Sequence, residues 1–421
     1  MPKEEKNKVL NICSFKYFNK KLLESGFRVL LFGNIISQFI NFSFSLWISR
    51  LYLPEVYGKF NYLLSWISII GPILLLRLEQ SIMIRDYKDK QEHYYLSIMF
   101  LGILNSIVSF IFIFLVTDIN LLNIIIIITS VIFTGINTQM YLISLKNQKY
   151  FICSISRILK TFFFNGLTIS LGYIFLPTDK YISVSNLLSL VVEHIILLSV
   201  NQWIFKWKIL ITLKYYEIKN YIIENIDFIK WNLPNVILDL LNDWGYMLLL
   251  GKFFGDFVLG QYAMMYRIIK LPASLISSVI YQHGYSKAVN NNNMHAHIIK
   301  QNYLISIIIG LPVFSMLFLG GKFILSFIFG AQWKLAGEIS EILAPAYFLH
   351  FIIVSSAFIT IIKNKMKISF IITMADILLR ISSIFIGKYF NNPQLSFYFL
   401  NVSLSLIYAV GLIFYWKISR V

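Results

Sequence analysis

Apolar runs of about 20 residues, the length that crosses a bilayer as a helix, alternate with charged clusters and Pro/Gly turns along the whole chain. Twelve can be marked, at 29–49, 60–76, 95–116, 122–145, 157–176, 182–203, 232–251, 258–281, 303–320, 340–362, 368–387 and 395–416. They predict an all-α polytopic membrane protein. The longest connection divides it into two six-helix bundles: a cytoplasmic segment 1–28, a bundle 29–203, a cytoplasmic amphipathic linker 204–231, a bundle 232–416 and a tail 417–421. The first run is read as a span and not a cleaved signal, because polar or mixed residues precede it and no small-residue cleavage site follows before the second. In the linker Lys214, Glu217, Lys219 and Glu224 alternate with Ile, Leu and Tyr, the pattern of a helix lying on the inner leaflet.

Composition agrees with this reading. The chain is 57% hydrophobic and 14% charged, with a mean hydropathy of +0.70, whereas a soluble domain carries about 25% charged residues. The net charge of +17 would suggest nucleic acid in a soluble protein. Here the Lys and Arg gather in alternate loops, 27 in the segments read as inside, 146–160 among them, and 7 in those read as outside. That asymmetry predicts both termini cytoplasmic and positive loops facing anionic lipid, with no nucleic-acid partner. The 37 Phe, 25 Tyr and 8 Trp suit lipid-facing and interfacial positions. Two cysteines, Cys13 and Cys153, allow neither a disulfide framework nor a four-cysteine metal site. There is no phosphate-binding lysine loop, Ser-centred elbow or HExxH, so neither an enzyme nor a cofactor is indicated.

The two halves repeat weakly. Arg50 to Tyr62 (RLYLPEVYGKFNY) aligns with Lys252 to Met264 (KFFGDFVLGQYAM) at a constant offset of 202 residues, and Gly58-x-Phe60 matches Gly260-x-Tyr262. Chance recurrence of Gly-aromatic turns is the alternative. Six helices separate the copies, so a true repeat keeps its membrane orientation and implies a pseudo-twofold axis along the membrane normal. Two bundles about such an axis enclose a cleft, and a cleft able to open to either side is a transporter.

With these segments, LGKFFGDFVLGQYAMMYRIIKLPASLISS (Leu250 to Ser278) and IFGAQWKLAG (Ile328 to Gly337), the chain resembles the polysaccharide exporters of the multidrug/oligosaccharidyl-lipid/polysaccharide (MOP) superfamily, and in particular the O-antigen flippases of the Wzx type. The resemblance spans the length and all twelve runs. It implies a MATE-like fold in the bacterial cytoplasmic membrane and transfer of undecaprenyl-diphosphate-linked oligosaccharide repeat units from the inner to the outer leaflet, with Na⁺, H⁺, membrane potential and substrate gradient all open as the driving force. The implied partners are membrane lipid, a polysaccharide polymerase and chain-length machinery. The competing readings are a drug/cation antiporter of the same superfamily and, in the enzyme class, a membrane polysaccharide polymerase, which normally has one long external loop where every external loop here is short.

An anionic lipid-linked head needs a hydrated cationic cavity, so charges within spans are the candidates. Arg267 and Lys270 stand at i and i+3 on one face of the eighth span, suited to contact diphosphate or to pair with the seventh. Asp239 and Asp243 stand at i and i+4 in the seventh span, as a coupling-ion site or as partners of those cations. Asp376 and Arg380 in the eleventh span have the spacing of a pair satisfied within one helix, pointing into the cleft. Glu193 and His194 in the sixth diverge by about 100°; Glu193 is the better coupling candidate. Arg77, Glu79 and Arg85 follow the second span, either as a loading site for the diphosphate or as ordinary positive-inside residues. Gly71–Pro72, Pro272, Pro312 and Pro345 are candidate bending points. A metal site at His283, His295 and His297, near the Asn290 to Asn293 loop, is disfavoured because no carboxylate or thiol accompanies them at ligand spacing.

Overall fold

The structure, a computed structural model, describes residues 20–84, 91–202, 215–290 and 294–420. Cys13, Arg85, the linker residues 203–214 and Asn291 to Asn293 lie outside them. The described residues fold as helices: α1 Lys20–Leu51, α2 Pro54–Ile73, α3 Gln91–Val116, α4 Leu121–Lys146, α5 Tyr150–Ile174 and α6 Asp179–Asn201 form the N-terminal bundle. A linker helix, α7 Tyr215–Glu224, leads to α8 Leu233–Leu240, α9 Tyr246–Asn290, α10 His295–Phe329, α11 Lys334–Ser356, α12 Met366–Tyr389 and α13 Pro393–Arg420, the C-terminal bundle.

Among the described residues nine helices are long and apolar enough to cross a membrane. One of these, Phe228–Val289, is long enough to cross twice and breaks at Gly255, whose φ of 82° only glycine adopts without strain. The shorter α2 and the more polar α5 complete twelve. Large apolar side chains such as Leu319, Phe323 and Phe327 point outward, as lipid-facing residues do. Buried hydroxyls such as those of Ser65 and Thr168 bond to the carbonyl one turn back, of Asn61 and Phe164.

The repeat inferred from the sequence is where the bundles touch. A Cβ on Gly58 would overlap the carbonyl oxygen of Asp256, and a Cβ on Gly260 that of Pro54. Each partner is again 202 residues from its counterpart, so α2 and α9 cross backbone to backbone about the pseudo-twofold axis. Pro54 starts α2 where a missing N–H costs nothing, fixing the chain's direction just before the crossing. The linker helix is anchored to the bundle: Tyr221 is fully buried, and its hydroxyl bonds to Ser81 at 2.5 Å and to the Leu78 carbonyl at 3.1 Å.

Candidate functional site: an interlobe cavity with unneutralised arginines

Two neighbouring cavities lie against α1, α5 and α9. The smaller, about 230 Å³, is lined by Asn41, Tyr57, Phe60, Trp244, Tyr266 and Arg267 and so lies between the bundles. The larger, about 540 Å³, is lined by Asn34, Gln38, Thr134, Asn137, Arg157 and Glu193. Lys160 and Thr161 line both, so the two share a wall.

Arg267 reaches from α9 into the N-terminal bundle. Its Nη2 donates to Asn41 Oδ1 at 2.9 Å, to the Asn41 carbonyl at 3.2 Å and to Asn165 Oδ1 at 3.2 Å, and its Nη1 to the Tyr57 hydroxyl at 3.3 Å. None of these is a carboxylate, and no ion pair to Arg267 exists among the described residues. Arg157 is held the same way: its Nη1 donates to Asn34 Oδ1 at 2.7 Å and its guanidinium lies 4.3 Å from the centre of the Tyr141 ring. An amide oxygen orients a guanidinium while leaving its charge uncompensated. Lys160 differs, standing 2.8 Å from Glu193 Oε2. The same carboxylate accepts from Asn137 Nδ2 at 3.2 Å, and His194 Nδ1 lies 3.0 Å from Asn137 Oδ1.

Lys270, Asp243, Asp376 and Arg380 are paired inside the C-terminal bundle. Lys270 is buried, bonded to Asp243 and set over the Tyr266 ring. Arg380 Nε donates to Asp376 Oδ1 at 2.7 Å, and Asp376 also accepts from Tyr408 at 2.6 Å and from Asn242 at 3.0 Å. Arg267 and Lys270 therefore face different surroundings despite their i, i+3 spacing, and Asp243 belongs to Lys270. The i, i+4 relation of Asp239 and Asp243 assumes a regular α-helix, but a π turn, Leu241–Gly245, follows α8. It carries Asn242 to Asp376 and Asp243 to Lys270, while Asp239 is exposed with no ion pair among the described residues.

Arg77 lines neither cavity. It sits beyond the end of α2 in a left-handed conformation, 3.4 Å from Glu79, which is almost fully buried. Burial raises the Glu79 carboxyl above its ordinary range, with Arg77 opposing. His295 bonds to the Ala288 carbonyl and His297 to Gln301.

Arg157 and Lys160 are cavity-lining cations that sequence reasoning did not single out. They were counted among the cytoplasmic loop charges because they begin an apolar run. The available signal was their spacing: i and i+3 puts both on the cavity face of α5.

The segments quoted for the family resemblance converge at one end of this site. Trp333 is fully buried; its Nε1 donates to the Ser49 carbonyl at 2.7 Å, Gln332 donates to the same carbonyl, and the Tyr57 ring meets the Trp333 indole edge-on at 5.7 Å. Gln261, beside Gly260, bonds to the Gln332 carbonyl and to the Ala336 amide. The bundles are thus closed on each other at the Gly58–Gly260 end.

A two-bundle membrane fold with a charged cavity at the bundle interface defines a class, and solved structures share it. The chain is similar to the lipid II flippase MurJ in an inward closed conformation, with a TM-score of 0.64 and 14% identity over 92% of this chain and 90% of that one. It is similar also to an inward-facing multidrug resistance transporter of the MATE family, at 0.59 and 13% over 91% and 94%. A MOP superfamily transporter from Pyrococcus furiosus, described for the reverse polarity of its binding pocket, matches at 0.53 and 13% over 94% and 95%. The fold is that of the MOP superfamily. A sequence profile described as "Polysaccharide biosynthesis protein" matches residues 48–338, more than half of the chain, and the chain belongs to that family. Among curated proteins none matches it.

Proposed function

We propose that this protein is a flippase that moves an undecaprenyl-diphosphate-linked oligosaccharide, the repeat unit of O-antigen or a related surface polysaccharide, from the inner to the outer leaflet of a bacterial cytoplasmic membrane. The observation that carries the reading is Arg267, a guanidinium in the interlobe cavity oriented by amides and a phenol and left without a carboxylate. A charge at membrane depth is costly unless it faces water or a partner. A diphosphate supplies that partner, and Arg meets it through two parallel hydrogen bonds. Membership of a polysaccharide biosynthesis family and likeness to a lipid II flippase support the same choice.

With both termini cytoplasmic, as the loop charges imply, the sealed Gly58–Gly260 end is external and the substrate loads from the cytoplasmic side. The diphosphate meets Arg267 and Lys160 while the polyprenyl tail stays in lipid, and reversal of the seal releases the head outward. Lys270 and Arg380 are neutralised by Asp243 and Asp376 and, like Arg77, line neither cavity. Glu193, which lines the larger cavity, and Asp239, which has no ion pair among the described residues, are the carboxylates placed to couple the cycle to H⁺ or Na⁺. A drug/cation antiporter is the second reading, and the cavity disfavours it, since three cations face one carboxylate there.

Deletion of the gene tests the choice. Lipid-linked repeat units should accumulate on the inner leaflet while surface polysaccharide is lost. Normal polysaccharide with altered drug sensitivity would select the antiporter.

A further inference from the structure

Asn34 and Asn41 stand two turns apart on α1, on one face and about 10 Å from each other along the axis. Each receives a guanidinium, Asn34 that of Arg157 and Asn41 that of Arg267. Between them Ser37 and Gln38 line the larger cavity, and Lys160 lines both cavities. The arginines come from different bundles, yet each is held by an amide oxygen of the same helix face and neither meets a carboxylate among the described residues. What explains Arg267 therefore has a counterpart at Arg157, in a larger cavity lined also by the Lys160–Glu193 pair and by the uncharged hydrogen-bonding side chains of Gln38, Asn137, Thr134 and Thr138.

We infer that Arg157 and Asn34 form a second anion site, in the larger cavity, at which the diphosphate head binds before it reaches Arg267. This rests on the flippase reading and adds to it a loading position. Lys160 serves both positions. Its ammonium now holds Glu193 Oε2 at 2.8 Å, and an arriving phosphate oxygen replaces one oxyanion by another, leaving Glu193 its bond from Asn137. Charge agrees. Three cations against Glu193 leave two positive charges, and a diphosphate diester carries two negative ones. With Lys160 between the stations, the head exchanges one arginine for the other without losing its ammonium contact.

The test uses the purified full-length protein in lipid nanodiscs and inorganic pyrophosphate as the probe. Binding is followed by calorimetry and, at the site, by protection of Gln38→Cys from a thiol reagent after Cys13→Ser and Cys153→Ala. Pyrophosphate should protect Gln38→Cys in otherwise unchanged protein and in Arg267→Gln, whereas Arg157→Gln should need about tenfold more of it, the loss of one charge-assisted hydrogen bond. Arg157→Lys should lie between, and it provides the reading if Arg157→Gln folds poorly. Protection that survives Arg157→Gln and disappears in Arg267→Gln would overturn the second site while leaving the flippase reading standing. Absence of any pyrophosphate binding to unchanged protein would remove both.

Discussion

In the C-terminal bundle Lys270 bonds to Asp243 and Arg380 to Asp376. Around the interlobe cavities Arg157 and Arg267 rest on Asn34, Asn41 and Asn165 instead. All four are cations on membrane-spanning helices, and the difference lies in the partner. A carboxylate neutralises a buried cation and makes the pair part of the fold, at a large penalty if one member is removed. An amide fixes geometry and leaves the charge available to a ligand. Buried charge in this protein is therefore of two kinds, separable by whether loss of the side chain removes the protein or only its activity.

The largest effect should come from breaking a pair. Arg380→Ala strands Asp376 among buried groups and should cost about 3–5 kcal/mol, read as loss of membrane abundance and of thermal stability in detergent; normal abundance would merge the two kinds of charge. Arg267→Ala should leave abundance intact while lowering export roughly 10–100-fold, the worth of hydrogen bonds to a charged ligand. A fall in protein level equal to the fall in export would assign Arg267 to the fold. Arg267→Lys keeps the charge without the fork and should retain part of the activity.

The sharpest version replaces a whole pair. Lys270→Met alone should reduce abundance, and Lys270→Met with Asp243→Leu should restore it, since well-packed apolar substitutes for buried pairs are close to neutral. If the double variant is abundant but does not export, the C-terminal pair acts in transport and the division by partner fails. The smallest effect belongs to Glu79. Its carboxyl is raised by burial, so the folded protein holds its proton to higher pH than the unfolded chain does. Stability should then decline as pH rises from the ordinary carboxylate range to the raised value and level off above it. Glu79→Gln should flatten that slope in melting curves between pH 5 and 7, and an unchanged slope would assign the dependence to another group.

Much of the architecture was legible in the sequence. Twelve apolar runs follow from the energetic demand that spanning backbone be helical and its side chains apolar, and the 202-residue offset anticipated the glycines at which the bundles cross. The site was legible only in part. Arg267 stood out because a cation deep in an apolar run is conspicuous, whereas Arg157 and Lys160 were absorbed into loop charge because their run begins beside them. The common face of Asp239 and Asp243 was inferred from an α-helical period, and the π turn at Leu241–Gly245 adds a residue that hydropathy does not register.

The sequence by itself determined the apolar runs and the likeness of the halves, because each depends on local composition or on a repeat read along one chain. Only the tertiary structure decided which cation has which partner. Lys270 finds Asp243 at 27 residues' separation and Arg267 finds Asn41 at 226, distances at which periodicity carries no information. A buried charge is defined by the groups that packing brings within hydrogen-bond reach, so the same arginine in the same helix is a structural ion or a ligand site according to what the opposite bundle presents to it.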